Sequence, residues 1–78
     1  MENPRNMKAL DRMRLTINGE NQGFEPPLTV SGLLAALALE PRKIAVERNL
    51  EIVPRSAYGE TALVDGDRIE IVQFVGGG

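Results

Sequence analysis

The segment that decides the fold is Arg68-Ile69-Glu70-Ile71-Val72-Gln73-Phe74-Val75, and Gly76-Gly77-Gly78 follows it directly. At its start, apolar residues alternate with charged ones, which is the period of a strand with one buried face. Glycine has no Cβ and loses more conformational freedom on ordering than any other residue, so a run of glycines adds nothing to a core. The segment predicts a buried strand that leads into a slender tail, which from Val75 to Gly78 reaches at most ~14 Å.

A glycine tail of this kind offers reach, and its tip offers a carboxylate on a backbone thin enough to enter the narrow active site of another protein. We therefore expect Gly76 and Gly77 to form a flexible tail and Gly78 to be the reactive residue of a carrier protein. The alternative is a frayed end without a function, because the last residues of many domains are poorly ordered. The residues that precede the tail favour the carrier.

The first half of the chain shows the pattern of a hairpin followed by a helix. Residues 13–17 alternate between apolar and polar, Asn18-Gly19 supplies a turn, and Pro26-Pro27 ends a returning strand around residues 23–25. A helix near Val30–Leu39 is predicted next, with an N-cap and a proline stop. Its apolar face, at positions i, i+3, i+4 and i+7, consists of Val30, Leu33, Leu34 and Leu37.

The second half of the chain adds more strands. Alternation resumes at residues 44–48, turns at Asn49-Leu50-Glu51 and continues into Ile52-Val53. A brief extended piece at residues 61–64 and a turn at Asp65-Gly66-Asp67 lead into the last strand.

This order, ββαββ with a final strand, predicts an α+β fold of the β-grasp type. A single amphipathic helix needs an apolar sheet face to cover, so we expect a mixed sheet of about four or five strands beneath one main helix. The domain should span residues 13–75, between a flexible extension at 1–12 and the tail at 76–78. The predicted core consists of Leu15, Ile17, Leu33, Leu34, Leu37, Ile44, Val46, Ile69 and Ile71.

Composition argues against several functions. The chain has no cysteine and no histidine, which removes disulfides, thiolate metal sites and the commonest general base. Its eleven acidic residues do not have the spacing of a calcium loop, and we predict no catalytic residue, metal or cofactor. A net charge of −2 and sparse aromatic residues argue against nucleic-acid binding. With no membrane-length apolar run and no signal peptide, we expect a soluble cytoplasmic protein.

Four features of the sequence occur together in order: Asn49, Pro54-Arg55-Ser56, Asp65-Gly66-Asp67, and the glycines after Val75. Each is unspecific alone, but in combination they make the chain, over about residues 13–78, resemble the ThiS family. Members of this family are sulfur carrier proteins of thiamine biosynthesis with a ubiquitin-like β-grasp fold. The extension before residue 13 departs from the family pattern.

The resemblance implies a mechanism that needs no catalytic side chain in the carrier. An E1-like adenylyltransferase of the ThiF type adenylates the carboxylate of Gly78, and a sulfur donor protein converts the acyl-adenylate into a thiocarboxylate. A thiazole synthase of the ThiG type then takes the sulfur into the thiazole ring. Gly77 and Gly78 are needed because a Cβ would clash in the slot that leads to ATP.

Strand alternation also predicts a docking surface. If Ile69 and Ile71 face the core, Val72 and Phe74 face the opposite side of the sheet, next to the tail. We expect Val72, Phe74 and Val75 to contact partners, together with Arg55. Single exposed apolar residues are also common on surfaces without partners, and an arginine after an edge strand is often simply solvated.

Two other functions remain open from the sequence. One is the same chemistry for molybdopterin, as in the MoaD family, which also ends in Gly-Gly on a β-grasp domain. The other is a non-covalent β-grasp binding module with an inert tail. The fold alone does not separate these, because the site lies in the tail and its partners.

Overall fold

The structure is a computed structural model, and it describes residues 12–74. These residues form β1 (Met13–Ile17), β2 (Glu20–Phe24), α1 (Val30–Ala36), β3 (Ile44–Arg48), β4 (Glu51–Val53) and β5 (Arg68–Gln73). Short 3-10 turns at Pro41–Lys43 and Arg55–Ala57 were not predicted. The predicted extension at 1–12, apart from Arg12, and the tail at 76–78 lie outside the described residues.

The strands form one five-stranded sheet in the order β2-β1-β5-β3-β4. β5 lies at its centre, parallel to β1 and antiparallel to β3. The first and last strands are therefore adjacent and parallel, with the helix covering one face. The α+β prediction of a β-grasp fold is confirmed.

Both hairpins turn through two residues with positive φ. Asn18 and Gly19 have φ values of 50° and 87°, and Ile17 pairs directly with Glu20. Pairing thus starts immediately after the turn, so β2 begins earlier than the predicted return strand at 23–25.

The second turn is tighter than predicted: Asn49 and Leu50 have φ values of 52° and 73°, and Glu51 already belongs to β4. This geometry is that of type I′ turns, which match the twist of the flanking strands.

Helix α1 begins as predicted and ends earlier. The hydroxyl of Thr29 accepts a hydrogen bond from the N–H of Gly32 at 3.1 Å, which is an N-cap. At the other end, Ala38 takes a φ of 58° and the N–H of Leu39 donates to the carbonyl of Leu34 at 2.9 Å. This is a Schellman motif, so the helix ends at Ala36 instead of continuing to the proline stop.

The core lies between α1 and one face of the sheet. Eight of the nine predicted core residues are buried, while Leu37 is half-buried and packs against the cluster because the helix has already ended. Two buried residues, Tyr58 and Leu63, come from the loop after β4, where the sequence shows no period. The predicted extended piece at 61–64 makes only one isolated bridge, between Thr29 and Ala62.

We predict that Leu34→Ala lowers the free energy of unfolding by about 2–5 kcal/mol, because it removes a side chain that is only 1% exposed. Leu50→Ala is the matched control: the same atoms are removed from a side chain that is 76% exposed, and a change within about 0.5 kcal/mol is expected. Urea denaturation of both variants measures the difference. Equal losses in the two variants would contradict the assignment of the buried helix face.

Candidate functional site

The tail is attached to β5, and backbone hydrogen bonds hold this strand on its β3 side. The antiparallel register runs from Ile44 opposite Gln73 to Arg48 opposite Ile69. The N–H of Phe74 extends it by donating to the carbonyl of Lys43 at 2.8 Å. The last described residue of the chain is therefore still bonded to the domain.

On the β1 side, a side chain continues the ladder. The paired residues end at Ile17 opposite Ile69, where the chain turns away into β2. The amide group of Asn18 then takes the place of a strand residue: its Oδ1 accepts from the N–H of Ile71 at 2.7 Å, and its Nδ2 donates to the carbonyl of Ile71 at 3.1 Å. The sequence predicted Asn18 only as a turn residue.

A buried carboxylate fixes the beginning of β5. Asp67 is 4% exposed and accepts hydrogen bonds from Arg48 Nε at 3.0 Å, Asn49 Nδ2 at 2.9 Å and the N–H of Val64 at 2.9 Å. Asn49 also uses its Oδ1 to accept from the N–H of Arg68 at 2.9 Å. Asn49 and Asp67, two of the residues that carried the family resemblance, thus anchor the strand that leads to the tail.

These contacts set the charge state of Asp67. Burial by itself raises the pKa of this carboxyl group. The hydrogen bonds from Val64, Asn49 and Arg48, together with the positive charge of Arg48, outweigh burial and hold the pKa below its usual value. Asp67 is therefore a carboxylate at neutral pH.

The residues that we expected to contact partners lie near the end of β5. Val72 is 61% exposed while Ile69 and Ile71 are buried, as the alternation along β5 predicts, and Phe74, which follows the end of the strand, is 58% exposed. Arg55 is exposed and donates to the carbonyl of Arg42 at 3.3 Å. Val75 and the glycines lie outside the described residues. The contact of these residues with partners stays a prediction.

A cleft of about 280 Å³ opens beside Phe74 on the side of the helix. Its lining residues come from the loop after α1, the start of β3 and the end of β5: Ala38, Leu39, Glu40, Lys43, Ile44, Gln73 and Phe74. Within residues 12–74, no group of three or more acidic side chains could hold a metal ion. The helix of this part of the chain is too short and insufficiently apolar to cross a membrane.

Comparison with known families settles the relationship of this chain. The model of the ThiS family matches residues 11–78. The chain belongs to the ThiS family. A sulfur carrier protein ThiS from Bacillus subtilis is 45% identical over 65 residues, which cover 82% of this chain and 98% of that protein.

A solved ThiS-family structure has the same fold. The crystal structure of the thiamine biosynthesis protein ThiS from Geobacter metallireducens aligns with a TM-score of 0.73 at 38% identity, covering 85% of this chain and all of that one.

Larger proteins also contain a segment similar to this ThiS-family chain. A thiazole synthase from Paramagnetospirillum magneticum is 56% identical over 66 residues, and one from Magnetococcus marinus is 46% identical over 66 residues. The matched segment is 85% of this chain but only 20% of each thiazole synthase. The chain therefore spans about a fifth of the length of these two relatives.

We predict that Asp67→Asn destabilises the domain at neutral pH by about 1–3 kcal/mol, because an amide cannot accept all three hydrogen bonds. Since the folded pKa of Asp67 is lowered, its carboxylate stabilises the fold above the unfolded pKa of about 3.9. That stabilisation is lost as the pH falls from there through the folded pKa. Urea denaturation at neutral and acidic pH should show the difference between variant and unaltered protein shrinking in acid; a constant difference would contradict a role for the charge.

Proposed function

We propose that this chain is a sulfur carrier protein of thiamine biosynthesis and that the carboxylate of Gly78 carries the sulfur. The observation that supports it most is the position of β5. This strand lies at the centre of the sheet, is bonded on both sides, and is followed in sequence by Phe74, Val75 and three glycines. Hydrogen bonds on both sides therefore fix the strand that precedes the proposed reactive tail. Membership of the ThiS family agrees with this function and does not favour the molybdopterin alternative.

The chemistry follows from the weakness of a carboxylate as an electrophile. An oxygen of the Gly78 carboxylate attacks the α-phosphate of ATP, and pyrophosphate leaves. The acyl-adenylate has a good leaving group, so hydrosulfide supplied by a donor protein attacks the carbonyl carbon, the C–O bond to AMP breaks, and AMP leaves to give a thiocarboxylate. This sulfur is the nucleophile that enters the thiazole ring.

In this proposal the chain itself catalyses nothing and acts as a protein substrate. It has neither histidine nor cysteine to serve as a base or nucleophile, and the enzymes it visits supply these groups. We propose that the reaction takes place in the cytoplasm, where ATP is available. The chain contributes recognition and presentation: the domain binds the enzyme surface and the glycines admit the terminus to the active site.

The proposed partners are an E1-like adenylyltransferase of the ThiF type, a sulfur donor protein and a thiazole synthase of the ThiG type. The two relatives named thiazole synthase support the last of these, because each contains a segment similar to this chain within a longer protein. We propose that Val72, Phe74 and Val75 contact these enzymes, since the first two are exposed apolar residues immediately before the tail. Arg55 is a further proposed contact from the loop after β4.

Deletion of Gly78, or addition of one residue after it, should abolish ATP-dependent pyrophosphate exchange by the ThiF-type enzyme. Each change moves the reactive carboxylate away from the position that the enzyme requires. Gly77→Val should also impair exchange severely, because its side chain excludes the tail from the slot. Thermal melts serve as the control, and they should match that of the unaltered protein because glycines add no side chain to the core. Normal exchange by the Gly78 deletion would rule out the carrier function.

Val72→Asp and Phe74→Asp should weaken docking while the tail stays chemically competent. Each places a charge in an apolar contact, so we expect KM for the carrier to rise about tenfold or more in the exchange assay. Leu50→Asp is the matched control, because it replaces an exposed apolar side chain by the same charge in the turn after β3. The end of β5 lies beside the start of β3, so this turn is at the other end of that strand. If all three variants behave alike, the contact surface is not at the end of β5.

A further inference from the structure

Two glutamates oppose each other on the sheet face that α1 leaves uncovered. Glu47 of β3 and Glu70 of β5 are direct cross-strand partners, and their buried sequence neighbours Val46, Ile69 and Ile71 point to the core. Directly opposed residues have Cβ atoms about 5 Å apart, and like charges at this spacing destabilise a sheet. This pair therefore costs stability in the free domain.

The domain itself does not neutralise this pair. Within residues 12–74, neither Glu47 nor Glu70 has a cation within ion-pair distance. Arg48 follows Glu47 in β3, but its guanidinium is bound to Asp67. Arg68 precedes Glu70 by two residues on the same strand and forms no ion pair with it. Glu70 is exposed and Glu47 is half-buried.

Apolar side chains flank the two glutamates on the same face. Ile52 of β4 pairs with Glu47 and is 75% exposed, and Val72 of β5 pairs with Ala45 and is 61% exposed. The open face, defined here as Ala45, Glu47, Ile52, Glu70 and Val72, thus has two carboxylates between apolar groups. A protein surface with one Lys or Arg between apolar side chains complements this pattern.

We propose that the open face is the docking surface for thiazole synthase and that the enzyme places a Lys or Arg against Glu47 and Glu70. The proposal rests on the proposed function and adds the chemistry of the partner surface. The occupant is argued from the relatives: in two of them a segment like this one belongs to a protein named thiazole synthase, so that segment and the rest of the protein are held in one chain at high effective concentration. The face also continues along β5 toward the tail, so an enzyme that takes the tail meets it.

The test uses two variants of the full chain and the purified thiazole synthase of the same organism, with Kd measured by calorimetry. Glu70→Lys turns the repulsive pair into an attractive one, and the double variant Glu47→Gln with Glu70→Gln removes both charges. Both variants should melt at the same or a higher temperature than the unaltered protein. Both should nevertheless bind thiazole synthase about tenfold more weakly. Added salt should weaken binding of the unaltered protein more than that of the double variant.

The matched control is the double variant Glu20→Gln with Glu60→Gln, which removes the same charge from exposed positions outside the open face. It should bind like the unaltered protein. Equal binding by the open-face variants and the unaltered protein would overturn this inference and leave the carrier function standing. A loss confined to pyrophosphate exchange with the ThiF-type enzyme would also overturn it, because the face would then belong to that partner. If the unaltered chain does not bind thiazole synthase, the partner named in the proposed function fails as well.

Discussion

The placement of β5 between β1 and β3 depends on side-chain amides that stand in for backbone. β1 and β5 share only two paired residues, and β1 then turns away. Without the amide of Asn18, the N–H and carbonyl of Ile71 would lose their partners on that side. An unpaired backbone group in a partly buried position costs about 1–3 kcal/mol, which is a large fraction of the stability of a small domain. Asn49 does the same for Arg68 at the other end of the strand.

Both asparagines serve two purposes at once. Each takes a positive φ in a two-residue turn, which asparagine tolerates better than most residues, and each turns its side chain back to β5. The carboxylate of Asp67 completes the arrangement by holding Asn49 and Arg48 together. Removing one partner of such a buried charged group is costly because the remaining charge loses its compensation. The family motif around Asn49 and Asp67 is therefore explained by the anchoring of β5.

The same arrangement gives the sheet two different faces. One face of the sheet is covered by α1 and supplies the core, and the other keeps Ile52 and Val72 exposed beside two opposed carboxylates. A carrier that visits several enzymes needs a stable body, an accessible recognition surface and a tail without side chains. β5 contributes to both faces, because alternate residues of this strand face the core and the open side. The shape of the open side therefore depends on the core beneath it.

The sequence by itself determined the fold class, the family, and the order of the main strands and the helix. Period-two alternation at residues 13–17 and 68–73, helical spacing at 30–37 and the Asn18-Gly19 turn are local signals, so they can be recognised without coordinates. Only the tertiary structure decided how β5 is anchored, because the bonds from Asn18 to Ile71 and from Arg48 to Asp67 join residues distant in sequence. It also decided that Tyr58 and Leu63 are buried and that Glu47 faces Glu70, since an aperiodic loop and a cross-strand register leave no local pattern. Local periodicity shows which side of a strand is apolar. The residue that lies opposite on the neighbouring strand is determined only by the register in which the two strands pair.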